Sequence, residues 1–139
     1  MIRVNYLHEF NYREFSASLS PVLQIEISLP GRHPNHKIDV DAHLDSGAQR
    51  SLFDGFLIAA LGGELVNDKI QPYSSTAGDS VQGYLHRVRL TLPDVGVFTL
   101  EVGFSDRHLR RNLLGRDFFN LVQIGFREHQ LKYYLTPSP

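Results

Sequence analysis

Two runs near the front of the chain leave little choice of fold. Leu23, Ile25, Ile27 and Leu29 alternate with Gln24, Glu26 and Ser28, and Ile38, Val40, Ala42 and Leu44 alternate with Asp39, Asp41 and His43. An apolar residue at every second position lines one face of a strand and does not fit a helical period. Pro30-Gly31 ends the first run as a turn, so the two read as a long-looped hairpin with one buried face. A second hairpin follows the same rule: Val88, Leu90 and Leu92, then Pro93-Asp94-Val95-Gly96, then Phe98, Leu100, Val102 and Phe104. Helix signals are sparse. One short helix is expected after Asp54 as an N-cap, through Phe56 to Leu61 and ending at Gly62-Gly63, with another at Asp117 to Leu121. Val122 to Phe126 and Leu131 to Leu135 read as two more short strands. Tyr6, Phe10, Tyr12 and Phe15 fit neither period. Close-spaced strands with one or two short helices predict an all-β barrel or sandwich.

Composition removes several functions. With 139 residues the chain suits one domain, and with no cysteine it has no disulfide, thiolate metal site or cysteine nucleophile. Lys plus Arg number 14 against 15 Asp plus Glu, a balance that argues against a nucleic-acid partner. No apolar run approaches the ~20 residues of a membrane span, and the first residues lack the apolar centre of a secretory signal. No membrane partner and a cytoplasmic location are therefore expected. Asp39, Asp41, His43 and Asp45 share one strand face but sit ~7 Å apart, too far to chelate one ion without help. They read as a solvated face, and no metal or other cofactor is expected. Arg107, His108, Arg110 and Arg111 form a basic cluster, read as a solvated loop or a contact between copies.

Three segments carry chemistry. In Leu44-Asp45-Ser46-Gly47-Ala48-Gln49-Arg50-Ser51-Leu52-Phe53 an apolar strand delivers an aspartate into a turn of small residues. Such a turn lets backbone N–H groups point at the carboxylate, although an ordinary Asx turn has the same composition. Tyr73 to Tyr84 reads as a hairpin with a small, flexible tip at Ala77-Gly78-Asp79. In Asn112-Leu113-Leu114-Gly115-Arg116-Asp117, a glycine after two apolar residues suits a strand that another segment crosses closely.

Taken in order, these segments resemble the retropepsin-like aspartic proteases, and the resemblance covers about residues 21–135. Asp45-Ser46-Gly47-Ala48 matches the active-site loop, residues 75–84 fall where the family has its flap, and Leu113 to Asp117 match its apolar-apolar-Gly-x-Asp/Asn segment. Gln49 stands where retroviral members carry an acid that pairs with an Arg like Arg116, which places this chain nearer the non-viral branch. A Gln49–Arg116 hydrogen bond is the available substitute. The resemblance implies a small closed barrel of the retropepsin type over residues 21–135, with residues 1–20 an N-terminal extension without counterpart and 136–139 a C-terminal tail. It implies Asp45 as the catalytic residue and support from Ser46, Gly47 and Ala48. It also implies a substrate-binding flap at Thr76, Ala77, Gly78 and Asp79, and a structural base of Leu114, Gly115, Arg116 and Asp117.

One aspartate loop is half of such a site. Peptide hydrolysis needs a base to activate water and an acid to protonate the product, roles that two close carboxylates sharing a proton supply together. A homodimer bringing two Asp45 residues together meets that need. The expected substrate is an extended peptide or unfolded protein, and the expected function an aspartic endopeptidase. The alternative is a catalytically silent module of the same fold that binds peptides or oligomerises.

Overall fold

The alternating runs pair as their pattern requires. The computed structural model describes residues 1, 3–31, 36–74 and 80–138. In chain order its strands are β1 (His8–Asn11), β2 (Arg13–Phe15), β3 (Ser18–Ser20), β4 (Val22–Ser28), β5 (Lys37–Leu44) and β6 (Leu52–Phe53). Helix α1 (Leu57–Ala60) precedes β7 (Ile70–Ser74), β8 (Ser80–Leu92), β9 (Gly96–Ser105) and β10 (Asn112–Leu114). Helix α2 (Arg116–Phe119), β11 (Val122–Arg127), a 3-10 turn and β12 (Lys132–Pro137) complete the chain. None of the described helices is long and apolar enough to cross a membrane.

The main sheet has the order β4-β5-β10-β6-β9-β8-β7, and a further pairing of end strand β4 with β8 curls six of these strands round on themselves, with β7 outside the closure. The 13 residues of β8 allow this, because its start pairs with β7 while Arg89 to Thr91 pair with β4. The apolar members of the alternating runs point inward: Ile25, Ile27, Val40, Ala42, Val88, Leu90, Val102 and Phe104 are all buried. Phe53, Leu114 and Phe118 plug the same core from β6, β10 and α2. Burying this apolar area is the main stabilising term for so small a barrel.

The front of the chain belongs to this structure. Strand β1 pairs antiparallel with β12, which also pairs with β11. Phe10 stacks on Tyr133 with ring centroids 5.0 Å apart, and Tyr12 is buried. Tyr133 donates its hydroxyl hydrogen bond to the Val22 carbonyl at 3.2 Å, which ties this small sheet to the barrel. The aromatic residues of 1–20 missed both periods because they serve different neighbours rather than one continuous face.

Two expectations change. The first helix is capped by Phe56 without a side-chain bond, and Asp54 instead closes a turn by accepting the Phe56 N–H on Oδ1. His43, read as part of a solvated face, is only 5% exposed. The short β2–β3 hairpin folds over it: Phe15 meets its ring edge-on at 4.5 Å, and Arg13 pairs with Asp41 at 2.8 Å.

Candidate active site

Asp45 stands where β5 ends and the barrel opens. Its backbone N–H donates to the Leu114 carbonyl at 2.9 Å, extending the parallel β5–β10 pairing by one residue. The chain then turns sharply: the Ala48 N–H donates back to the Asp45 carbonyl, and the Gly47 N–H donates to Asp45 Oδ1 at 2.9 Å. A backbone donor on a carboxylate oxygen fixes its orientation. Asp45 is half-buried; Ser46 and Gly47 are exposed beside it.

The segment at 112–117 crosses under this turn. The Arg116 N–H donates to the Ala48 carbonyl at 2.8 Å. A Cβ on Gly115 would lie 2.6 Å from that same oxygen, a distance real Cβ atoms do not reach, so the close crossing requires glycine. Below it lies a brace that sequence reading missed. Fully buried Ser51 donates its N–H to Asp117 Oδ2 (2.9 Å) and its hydroxyl to Asp117 Oδ1 (2.7 Å), and accepts the Gly115 N–H at 3.0 Å. The serine between Arg50 and Leu52 gave no signal, since its partner lies 66 residues away. Leu114 is buried in the core and Arg116 is exposed. No hydrogen bond joins Gln49 to Arg116 among the described residues.

Tyr73 is a second missed support. From β7 its hydroxyl donates to the Ser51 carbonyl at 3.1 Å, while burial pushes its pKa up to about 12. The ring occupies a slot left by two glycines on neighbouring strands. A Cβ at Gly83 would sit 2.5 Å from its ring, and one at Gly103 would sit 2.5 Å from its hydroxyl.

These elements bound a cleft of about 700 Å³. Asp45, Gly47 and Ala48, taken as its floor, line it together with Pro72, Tyr73 and Val81 from β7 and β8 and with Leu109, Arg110 and Arg111 from the loop before β10. Thr76, Ala77, Gly78 and Asp79, expected as the flap, lie outside the described residues. The Arg107–Arg111 loop is anchored at its base: His108 Nδ1 meets Asp54 Oδ2 at 2.7 Å, and the Asp54 N–H donates to Asn112 Oδ1 at 2.8 Å. Among the described residues no group of three or more His, Asp or Glu side chains is arranged to hold a metal ion. The chemistry available in the cleft is a single oriented carboxylate among apolar and basic lining residues.

The sequence matches the family described as Aspartyl protease over residues 29–118. No curated protein matches it. Among solved structures, the fold is similar to that of a retropepsin-like aspartic protease from Rickettsia conorii. That similarity has a TM-score of 0.61 and 10% identity, over 96% of this chain and 97% of that one. It is similar too to EIAV protease complexed with the inhibitor HBY-793, with a TM-score of 0.56 and 15% identity over 78% of this chain and 92% of that one. The likeness is one of fold: the all-β architecture is of the retropepsin type.

Proposed function

Given that the chain belongs to the aspartyl protease family, we propose that it is an aspartic endopeptidase working as a homodimer, with water held between two Asp45 carboxylates. The observation that carries the reading is the position of Asp45, the only acid among the described residues lining the cleft, oriented by the Gly47 N–H. A single carboxylate cannot act as base toward water and acid toward the peptide at once. Two of them sharing a proton do both, because like charges ~3 Å apart do not both ionise. The ionised partner takes a proton from water as its oxygen attacks the carbonyl carbon. The protonated partner donates to the carbonyl oxygen. As the tetrahedral intermediate collapses, the first partner passes the proton it took from water to the leaving amine nitrogen, and the second recovers its proton from a hydroxyl of the intermediate.

Exposed Ser46 and Gly47 leave the loop accessible to a second copy. Strands β1 and β11 have unpaired outer edges among the described residues, and such edges are available for pairing between copies. In this reading Ser46 links the two loops through its hydroxyl, and an extended peptide lies in the cleft lined by the Asp45 turn and by Pro72, Tyr73 and Val81. Residues 21–135 carry the catalytic domain. Residues 1–20 serve as its support through the β1–β12 pairing and the β2–β3 cover over His43.

Mixing wild-type protein with Asp45→Asn protein, followed by unfolding and refolding together, tests the shared site. A mixed dimer holds one carboxylate and one amide, so activity on an unfolded protein substrate falls as the square of the wild-type fraction. An equal mixture keeps about one quarter. Retention of about one half after verified subunit exchange overturns the shared site. Undiminished turnover by Asp45→Asn alone overturns the protease assignment.

A further inference from the structure

The charges around the cleft are one-sided. The whole chain has 14 Lys plus Arg against 15 Asp plus Glu. The described residues lining the cleft include Arg50, Arg110 and Arg111, with Asp45 as the single acid. All three arginines are exposed, and none forms an ion pair among the described residues. Arg110 donates to Ser16 Oγ at 2.6 Å, a neutral acceptor that leaves its charge uncompensated. Arg50 leads from the Asp45 turn into β6, and the other two stand on the loop before β10, so basic residues line the cleft from two segments.

The loop carrying Arg110 and Arg111 is built to hold its place. Besides the Asp54–His108 contact at its base, the Arg107 N–H donates to Ser105 Oγ at 3.1 Å. At its far end the Asn112 side-chain amide donates to the Asp41 carbonyl at 3.1 Å. A backbone held in this way keeps Arg110 and Arg111 beside the cleft, which lowers the ordering cost of binding an anion there. Each guanidinium is charged at every working pH and presents a fork matched to a carboxylate. Clustered in a groove with apolar walls, they focus a positive potential along it.

We propose that this cleft selects acidic peptides, with glutamate or aspartate side chains held by Arg50, Arg110 and Arg111 on the flanks of the scissile bond. The acids belong on the flanks because the Asp45 pair, sharing one proton, keeps a negative charge at the centre. The apolar contributions of Leu52, Pro72, Val81 and Leu113 suit a peptide with an uncharged centre. A nucleic acid fits less well: a phosphate backbone needs a broad basic face, and here the positive charge is local on a chain of net charge −1. The inference rests on the endopeptidase reading for its cleavage arm and on cleft charge alone for its binding arm.

The experiment uses matched peptides with one apolar centre, flanked by glutamate, glutamine or lysine. In the wild-type protein kcat/KM for the glutamate peptide should exceed that for the glutamine peptide by about tenfold at low salt, and the lysine peptide should be cut most slowly. The ratio should shrink as sodium chloride is raised and approach one in an Arg50→Gln/Arg111→Gln double variant. In parallel, labelled peptides and a single-stranded oligonucleotide of the same charge are titrated into Asp45→Asn protein and followed by anisotropy. Tighter binding of the glutamate peptide than of the other two and the oligonucleotide supports the inference. Equal rates for glutamate and glutamine peptides overturn it, as does tighter binding of the oligonucleotide. If no peptide and no unfolded protein is cut, the endopeptidase reading fails, and anisotropy still decides the acid preference by itself.

Discussion

Replacing His43 by leucine should make the protein more stable, and increasingly so as the solution is acidified. The ring sits on β5 between Val22 and Leu113 of the flanking strands, 5% exposed, with Phe15 packed on it. Neither ring nitrogen has a hydrogen-bond partner among the described residues. A neutral imidazole buried this way leaves one donor and one acceptor unmade, at a cost of about 1–3 kcal/mol. Leucine has a similar volume and no polar atom, so most of that cost should be recovered at pH 7.5. We expect a gain of about 1–2 kcal/mol, or about 3–6 °C in Tm for a chain of this size.

Acid adds a second contribution of known sign. Burial lowers the His43 pKa, and Arg111 lowers it further against weaker opposing effects of Asp41 and Asp45. Below the ordinary histidine pKa of about 6.5 the unfolded chain takes up a proton that the folded chain refuses. This site therefore draws no stability from the fold above that pH, and the fold loses stability as the pH falls through the interval down to the folded pKa. The loss approaches about 1.4 kcal/mol per pH unit inside the interval. His43→Leu lacks the site, so the difference between variant and wild type should widen from pH 7.5 to pH 5. Urea unfolding at matched protein concentration and half-unit pH steps measures it, and subtraction removes the other histidines. A variant less stable than wild type at pH 7.5, or a constant difference across that range, would refute the reasoning.

Two substitutions probe the supports of the Asp45 turn. Gly115→Ala drives a methyl group against the Ala48 carbonyl, and should cost about 1–3 kcal/mol in thermal unfolding while lowering turnover by moving the floor of the cleft. Unchanged Tm and activity together would show that the crossing is looser than its geometry. Ser51→Ala leaves Asp117 and the Gly115 N–H short of one partner each at a fully buried position. It should cost about 2–4 kcal/mol by denaturant midpoint, and a change below about 0.5 kcal/mol would remove Ser51 from the brace.

The barrel was legible wherever one strand face meets one environment. Residues 23–29 and 38–44 show the pattern, and their registered pairing, Leu23 with Ala42 through Ile27 with Ile38, follows from it. The Asp45 turn and the Gly115 crossing were legible as local chemistry, because small residues announce a tight approach. What stayed hidden is what joins distant segments. His43 occupies a position whose parity reads as solvent, and only the hairpin at 13–20 covers it. Tyr73 looked like an ordinary hairpin residue, since its slot depends on glycines in two other strands, and the register of β8 on β9 is what brings Gly83 and Gly103 near it. Strand β1 pairs with residues more than a hundred positions away, beyond any local signal.

The same distances separate two roles within one cleft. The Asp45 turn is bonded to Leu114 and Arg116, and its continuation at Ser51 to Gly115, Asp117 and Tyr73, partners 22 to 69 residues off. Most of these bonds involve backbone groups or buried atoms, so the turn cannot open without loosening β6, β7 and β10 together. Its geometry is as stable as the barrel. The 106–111 loop differs: its backbone is held at its base and far end, while Leu109, Arg110 and Arg111 line the cleft and Arg110 reaches exposed Ser16. Side chains there can change with little effect on the core, because exposed positions contribute small increments to stability. The oriented Asp45 carboxylate is thus tied to the folding of the barrel, whereas part of the positive charge lining the cleft is carried by a loop whose side chains contribute little to the core.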